Sequence, residues 1–334
     1  MDNEHPPPTH PTPPPAGSVP VGPTPPPPRR RGPRPAPPGV PYHRVLATEK
    51  RQIWRGIAAL LLLLAGLFAF SLFFGTIGIF AETALGLTDP ASDEIEITPI
   101  SQATALFSLA LLLPWSMLVQ RWLYKVEGSS LHSVRSLFRF DLMGRSLLVI
   151  LPVWAVYMTV LTSLLPYEEG HWGTVDLFAT FVIVILLTPL QSAGEEYGFR
   201  GLAFRIAASW GQGPRVALFL GVVVSSLLFM AVHLAWDPWL NVYYFVLGAT
   251  LALLTWRTGG IELAVVVHAV NNTIAFLLVV ITRTDLAEGM DRSVGAGSPL
   301  LLLPCVLLLG ITAVMWWRTR RTGPPLTTGP RPPA

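Results

Sequence analysis

Eight apolar runs, each about 20 residues long, follow one another along the chain, near 54–75, 102–122, 147–165, 174–194, 214–233, 238–256, 260–281 and 298–317. At a rise of about 1.5 Å per residue, such a run crosses the hydrocarbon of a bilayer as a helix. Backbone inside lipid must satisfy its own N–H and C=O groups, which confines runs of this length to helical structure. The expected fold class is therefore all-α: a polytopic integral membrane protein with about eight transmembrane helices. Composition agrees. The chain is 51% hydrophobic and 13% charged, whereas a soluble domain carries about 25% charged residues. A shorter apolar piece, residues 75–87, contains Glu82 and reads as an extension of the first helix or an interfacial segment rather than a further span.

The flanks have a different character. Residues 1–41 hold 18 of the 33 prolines, with Arg29, Arg30, Arg31 and Arg34 among them and almost nothing to bury. The expected organisation is a disordered, basic, polyproline-leaning tail over 1–45, a transmembrane domain over 46–321, and a disordered tail over 322–334. A solvated linker, an SH3-type ligand and a lipid-surface tether are all compatible with the first tail. The net charge of +3 comes with basic residues clustered outside the apolar runs. That pattern suits an anionic lipid surface and gives no reason to expect nucleic acid. The single cysteine, Cys305, rules out an intrachain disulfide and a thiolate zinc site. With the first apolar run beginning after residue 50, no cleavable signal peptide is expected.

Loop charges predict an orientation. Arg121, Lys125, Arg135, Arg139 and Arg145 share alternate loops with Arg200, Arg205 and Arg215, with Arg257, and with Arg318, Arg320 and Arg321. The remaining loops carry Asp89, Asp93, Glu94, Glu96, Glu168 and Glu169. By the positive-inside rule both termini should be cytoplasmic, in a protein integral to the cell membrane.

Three polar clusters interrupt the apolar runs: Glu195-Glu196 with Arg200, Phe229 with His233, and His268 with Asn271 and Asn272. A charged group costs about 2.5–3.5 kcal/mol at the centre of a membrane helix, so such residues face a partner or a cavity. On a helix, Glu196 and Arg200 share a face at i, i+4, as do Phe229 and His233, and His268 and Asn272, with Asn271 the alternative at i+3. Glu195 is turned about 100° away from Glu196. One carboxylate can thus pair with the arginine while the other stays free to carry a proton. Any one cluster alone is adequately explained as a hydrogen bond between helices; three in one chain point to chemistry. The sequence has no HExxH helix and neither a G-x-S-x-G elbow nor a Walker A loop in a suitable context. Ser226 lies seven residues from His233, about 10 Å along a helix, too far for a serine–histidine pair. Glu262 and Arg257 read as interfacial charges, Trp236, Trp239, Trp256, Trp316 and Trp317 as interfacial aromatics, and Asp237-Pro238 as a turn.

The ordered set EExxxR, FxxxH and HxxxN resembles the CPBP family of intramembrane proteases, also called the CAAX-protease and bacteriocin-processing (Abi) family. Glu195, Glu196 and Arg200 match the first motif, Phe229 and His233 the second, and His268 and Asn272 the third. The resemblance covers about residues 174–281. It implies an endopeptidase acting on a peptide or membrane-protein substrate in the bilayer, prenylated CAAX tails being the family's best-known substrate. Glu195 and His233 would activate the attacking water. His268 and Asn272 would position substrate and stabilise the oxyanion, while Glu196 and Arg200 hold the first motif's helix. Family members are commonly labelled metalloproteases. Glu195, His233 and His268 could ligate zinc with water in the fourth position; a metal-free mechanism would use the same groups. Two other readings compete: a catalytically inactive immunity or scaffold protein of the same fold, and a proton- or metal-coupled transporter. The transporter should show an internal repeat or paired broken helices, and neither is evident.

Counted naively, the fourth run ends near Glu195 while the fifth puts His233 about 27 Å away across the membrane. For the motifs to meet, the fourth helix should run past Arg200, tolerating Pro189, and the fifth should start later than Pro214 and extend toward Trp239.

Overall fold

The computed structural model describes residues 32–87, 97–164, 170 and 172–329. Eight long apolar helices organise them: α1 (Ile53–Ala84), α2 (Pro99–Tyr124), α3 (Phe140–Leu164), α4 (Thr174–Trp210), α5 (Gly213–Val232), α6 (Pro238–Thr258), α7 (Glu262–Thr282) and α8 (Pro299–Thr319). Among the described residues there is no strand, only isolated bridges such as Arg34 to Val126. The chain is an all-α integral membrane protein. Its outer helix faces leave large apolar side chains uncovered, among them Phe73, Phe80, Leu148 and Val156, as a lipid-facing surface requires.

Local chemistry sets the helix limits. Residues 75–84 continue α1, and Glu82 turns inward to accept a hydrogen bond from Ser101 N at 2.9 Å and one from the Thr98 hydroxyl. The carboxylate thereby serves the N-terminus of α2, where Thr98 and Ser101 form a reciprocal capping box. Pro189 is carried inside α4, which runs well past Arg200 as expected. The expectation for the fifth helix is corrected: α5 begins at Gly213 with Pro214 in its first turn, and ends at Val232. Proline suits the first turn, where its missing N–H is not needed, and Gly213 supplies the left-handed φ of +73° that reverses the chain after α4. At the other end Leu234 takes φ +51° and Asp237 caps α6 through Trp239 N and Leu240 N, so α5 cannot continue toward Trp239.

The bundle is centred on α4 and α7, which pack on each other, with α2 against α4, α3 against α7, and α5 between α4 and α6. Gly194 permits the closest of these approaches. A Cβ there would lie 2.1 Å from the Leu109 carbonyl oxygen of α2, so the helix can pass only as glycine one residue before the Glu-Glu pair.

Several charges assigned to loops or interfaces are interior. Arg200 and Arg205 are fully buried in α4, which removes them from the loop-charge argument. Arg205 donates to Ser130 O at 2.6 Å and Ser130 Oγ at 3.1 Å and lies over the Tyr42 ring. Glu262 is buried as well, held by Arg139 through Nε at 2.8 Å and Nη2 at 2.7 Å. Arg257 is buried against Trp316 and bonds Thr319 Oγ1 at 2.6 Å. Helix periodicity alone could not reveal these partners, which come from distant segments.

The boundaries expected for the two tails also shift. Residues 33–46 pack onto the bundle, with Tyr42 and Val45 fully buried, Tyr42 Oη donating to Leu131 O at 2.6 Å, and Arg44 donating to Ala208 O and Gly211 O at the end of α4. Thr327 N bonds Val40 O at 2.8 Å and Gly39 N bonds Thr327 O at 3.0 Å, tying the two ends of the domain together. The tail proper, residues 1–31, and 330–334 lie outside the described residues. So do the acidic positions Asp89, Asp93, Glu94, Glu96, Glu168 and Glu169.

Candidate active site

α4 is 37 residues long, about 55 Å at 1.5 Å per residue, nearly twice the hydrocarbon thickness of a bilayer. After the reversal at Gly213, α5 doubles back along the last turns of α4. A Cβ on Gly221 would meet the Phe204 ring at 2.7 Å, and the rings of Phe199 and Phe229 lie 5.3 Å apart. Continued by one turn, this antiparallel register brings His233 to the depth of Glu195. The separation expected from run lengths is thereby removed by extending α4 alone. Directly after Glu196 the helix widens into π turns over Tyr197–Ala203, all buried; such turns re-aim side chains and are frequent at functional sites.

The first motif is arranged as its spacing predicts. Arg200 Nη1 lies 3.1 Å from Glu196 Oε1, and both side chains are buried. The guanidinium also sits 4.0 Å above the Phe229 ring, so the phenylalanine of the second motif supplies a cation–π floor for the arginine of the first. Glu196 has a second partner that the sequence did not reveal: His268 Nδ1 at 2.7 Å. The same imidazole presents Nε2 to Glu195 Oε2 at 3.5 Å. His268, on α7, therefore stands between both carboxylates of α4.

His233 is placed differently. Its Nδ1 is 2.7 Å from the Phe229 carbonyl oxygen. A carbonyl can only accept, so the proton is on Nδ1 and the Nε2 lone pair is left for a reactant. The ring stacks on Tyr244 at 3.8 Å and meets Phe229 edge-on at 4.6 Å. The imidazole that Glu195 meets within 4 Å is His268, not His233.

Asn272 Nδ2 is 3.4 Å from Gln191 Oε1, and Asn272 Oδ1 accepts from Asn271 Nδ2 at 3.0 Å. Asn271 is in turn held by Trp154 Nε1 at 3.1 Å and by the Tyr243 hydroxyl at 3.0 Å. Gln191, Trp154, Tyr243 and Tyr244 were not singled out from the sequence. Gln191 had a signal, four residues before Glu195 and on the same helix face. Trp154 and the two tyrosines had none, since an aromatic in an apolar helix is unremarkable until its neighbours are known.

Glu195 Oε2 and Glu196 Oε2 have no hydrogen bond within the protein. Buried acceptors of this kind are costly unless they serve a reactant or solvent. Among the described residues no three His, Cys, Asp or Glu side chains gather as a metal-binding group. Glu195, His233 and His268 line one site but do not form a ready triad for zinc. What the geometry provides is a carboxylate with an uncommitted oxygen, an imidazole locked by a second carboxylate, an imidazole with an outward lone pair, and an anchored carboxamide.

Residues 174–274 match a protein family described as Rce1-like: type II CAAX prenyl endopeptidase Rce1-like. The uncharacterized protein YyaK of Bacillus subtilis (strain 168) is 31% identical over 112 residues, covering 31% of this chain and 35% of that protein. An uncharacterized 24.3 kDa protein of Escherichia coli is 30% identical over 106 residues, covering 30% of this chain and 45% of that protein. The chain thus spans less than half the length of these relatives. No solved structure matches.

Proposed function

Starting from the Rce1-like, CAAX-protease-family domain at residues 174–274, we propose that the chain is an intramembrane endopeptidase that hydrolyses a peptide bond with a glutamate-activated water. The observation that carries this reading is the position of His268, its Nδ1 bonded to Glu196 at 2.7 Å while its Nε2 stands 3.5 Å from a Glu195 oxygen that has no hydrogen bond within the protein. Structural glue between helices needs only the first contact. The second leaves a buried carboxylate oxygen beside an imidazole, free to take a proton from a reactant.

In the proposed sequence, water sits between Glu195 Oε2 and the Nε2 lone pair of His233. Glu195 takes one water proton as the hydroxide oxygen bonds to the scissile carbonyl carbon. The carbonyl oxygen gains the electron pair and is met by the Asn272 carboxamide N–H and by His268, whose ring Glu196 holds in place through Nδ1. Collapse of the oxyanion breaks the C–N bond, and the proton held by Glu195 goes to the leaving nitrogen. Arg200 acts at one remove, 3.1 Å from the same Glu196 oxygen that His268 engages. No step is routed through a metal.

The proposed substrate is a peptide or membrane-protein segment entering from the bilayer, with a prenylated C-terminal tail the class suggested by the family. Both termini are proposed to be cytoplasmic, in the cell membrane. The test is hydrolysis of quenched fluorescent peptides, with and without a farnesylated cysteine three residues from the C-terminus, by protein purified into liposomes. Cleavage by the wild type and none by Glu195→Gln supports the assignment; equal cleavage by both removes it.

A further inference from the structure

A row of amides runs from α3 through α7 to α4 and ends at Gln191, one helical turn before Glu195. Trp154 is fully buried on α3, and its Nε1 donates to Asn271 Oδ1 at 3.1 Å. Asn271 Nδ2 donates to Asn272 Oδ1 at 3.0 Å, and Asn272 Nδ2 to Gln191 Oε1 at 3.4 Å. Gln191 stands one helical turn before Glu195 on the same face of α4.

The direction of this row is fixed by its indole end. An indole N–H is a donor only. Flipping Asn271 would set its NH₂ against the indole N–H and leave two buried donors facing each other. With Asn271 fixed, Asn272 presents its oxygen to the Asn271 NH₂ and its own NH₂ to Gln191 Oε1, on the α4 side of the site. One of its two N–H bonds engages Gln191, and the other remains for a reacting carbonyl.

We propose that Trp154, Asn271 and Gln191 are positioning residues: they form a one-way hydrogen-bond row that sets the orientation of the Asn272 carboxamide. The row fixes the oxyanion donor from α3, a helix that carries none of the proposed catalytic groups. Asn271 is then neither a spare for Asn272 nor simple helix glue; it transmits the polarity set by the indole. Tyr243 accepts from Asn271 at 3.0 Å without constraining that polarity, because a hydroxyl can donate or accept. Ser192 Oγ, 3.1 Å from Gln191 Oε1, leaves the glutamine's orientation unchanged for the same reason.

The proposal rests on the endopeptidase reading for its catalytic consequence, and the test has two arms. In the first, proteoliposomes are assayed with a quenched peptide carrying a farnesylated cysteine. Trp154→Phe keeps most of the ring volume and deletes the donor. It should lower kcat about 10- to 100-fold with KM within about twofold, while Tyr243→Phe stays within about threefold of wild type, since the hydroxyl is not needed for polarity. In an Asn272→Ala background, Trp154→Phe should lower kcat by less than about twofold further, because its effect runs through Asn272. Additive losses in that cycle, or a loss carried by KM, would overturn the positioning role. The second arm needs no turnover. The indole N–H resonance of Trp154, identified in ¹⁵N-tryptophan-labelled protein as the signal that Trp154→Phe removes, should shift in Asn271→Leu and in Gln191→Met. A resonance unmoved by both refutes the row itself. If wild-type protein cleaves no peptide yet the resonance shifts, the row stands and the endopeptidase reading falls.

Discussion

Glu195 and Glu196 are neighbours in sequence, yet replacing each with glutamine should give very different losses of stability. Glu196 is fully buried, 3.1 Å from Arg200 Nη1 and 2.7 Å from His268 Nδ1. None of the three guanidinium nitrogens of Arg200 has another hydrogen-bond partner within the protein. Glu196→Gln therefore leaves a buried, uncompensated cation, at a cost of about 3–5 kcal/mol. It also turns a charge-assisted bond to His268 into a neutral one, a further loss of about 1 kcal/mol. The total, about 4–6 kcal/mol, is comparable to the whole stability of many domains. Glu195 has its carboxylate oxygen 3.5 Å from His268 Nε2, beyond a good hydrogen bond, so Glu195→Gln should cost less than about 1 kcal/mol while abolishing turnover. Reversible unfolding in mixed micelles, followed by tryptophan fluorescence, measures both. Arg200→Met in the Glu196→Gln background removes the stranded charge and should recover at least half of the loss. Destabilisation of Glu195→Gln equal to that of Glu196→Gln, or a double variant less stable than Glu196→Gln alone, would refute the reasoning.

Three other outcomes are expected. With Cys305→Ser, single cysteines at 125–140 and at 320 should be labelled by an impermeant maleimide only from the cytoplasmic side and those at 93 and 169 only from outside; labelling of 93 and 130 from one face would break the orientation. For metal, protein with less than about a tenth of a zinc per chain after chelation should keep full activity if Glu195 is the unaided base, and loss restored by stoichiometric zinc would reassign the mechanism to a Lewis acid. Asp237 caps α6, and against the upward push of desolvation the N–H groups of Leu240, Gly295 and Trp239 hold its carboxyl below the usual range. A depressed folded value means the cap's stabilisation is present above the unfolded pKa of about 3.9 and lost as pH falls through the folded one. Asp237→Asn should then flatten the acid limb of stability below about pH 4, and an unchanged limb would remove the cap from the account.

Much of this protein is decided by sequence alone. Apolar runs of bilayer length leave helices as the available backbone solution, so the eight spans were legible from composition and length, whereas the choice between a longer α1 and an interfacial piece at 75–87 was not. The spacing of Glu196 and Arg200, and of Phe229 and His233, also fixed local pairs, because i, i+4 neighbours on a helix meet whatever surrounds them. Relations between helices were not legible. That His268 would take both carboxylates depends on the axial register of α4 against α7, and on Gly194 letting α2 approach. That Arg205 and Glu262 would be interior pairs rather than loop charges depends on which distant segment, Ser130 or Arg139, supplied the compensating group. The orientation of Asn272 was set by an indole on α3 that no motif marks. A single sequence records spacing along one helix, whereas depth, facing and the satisfaction of a buried polar group arise only when helices pack, and at this site it is packing that turned three short motifs into one constellation.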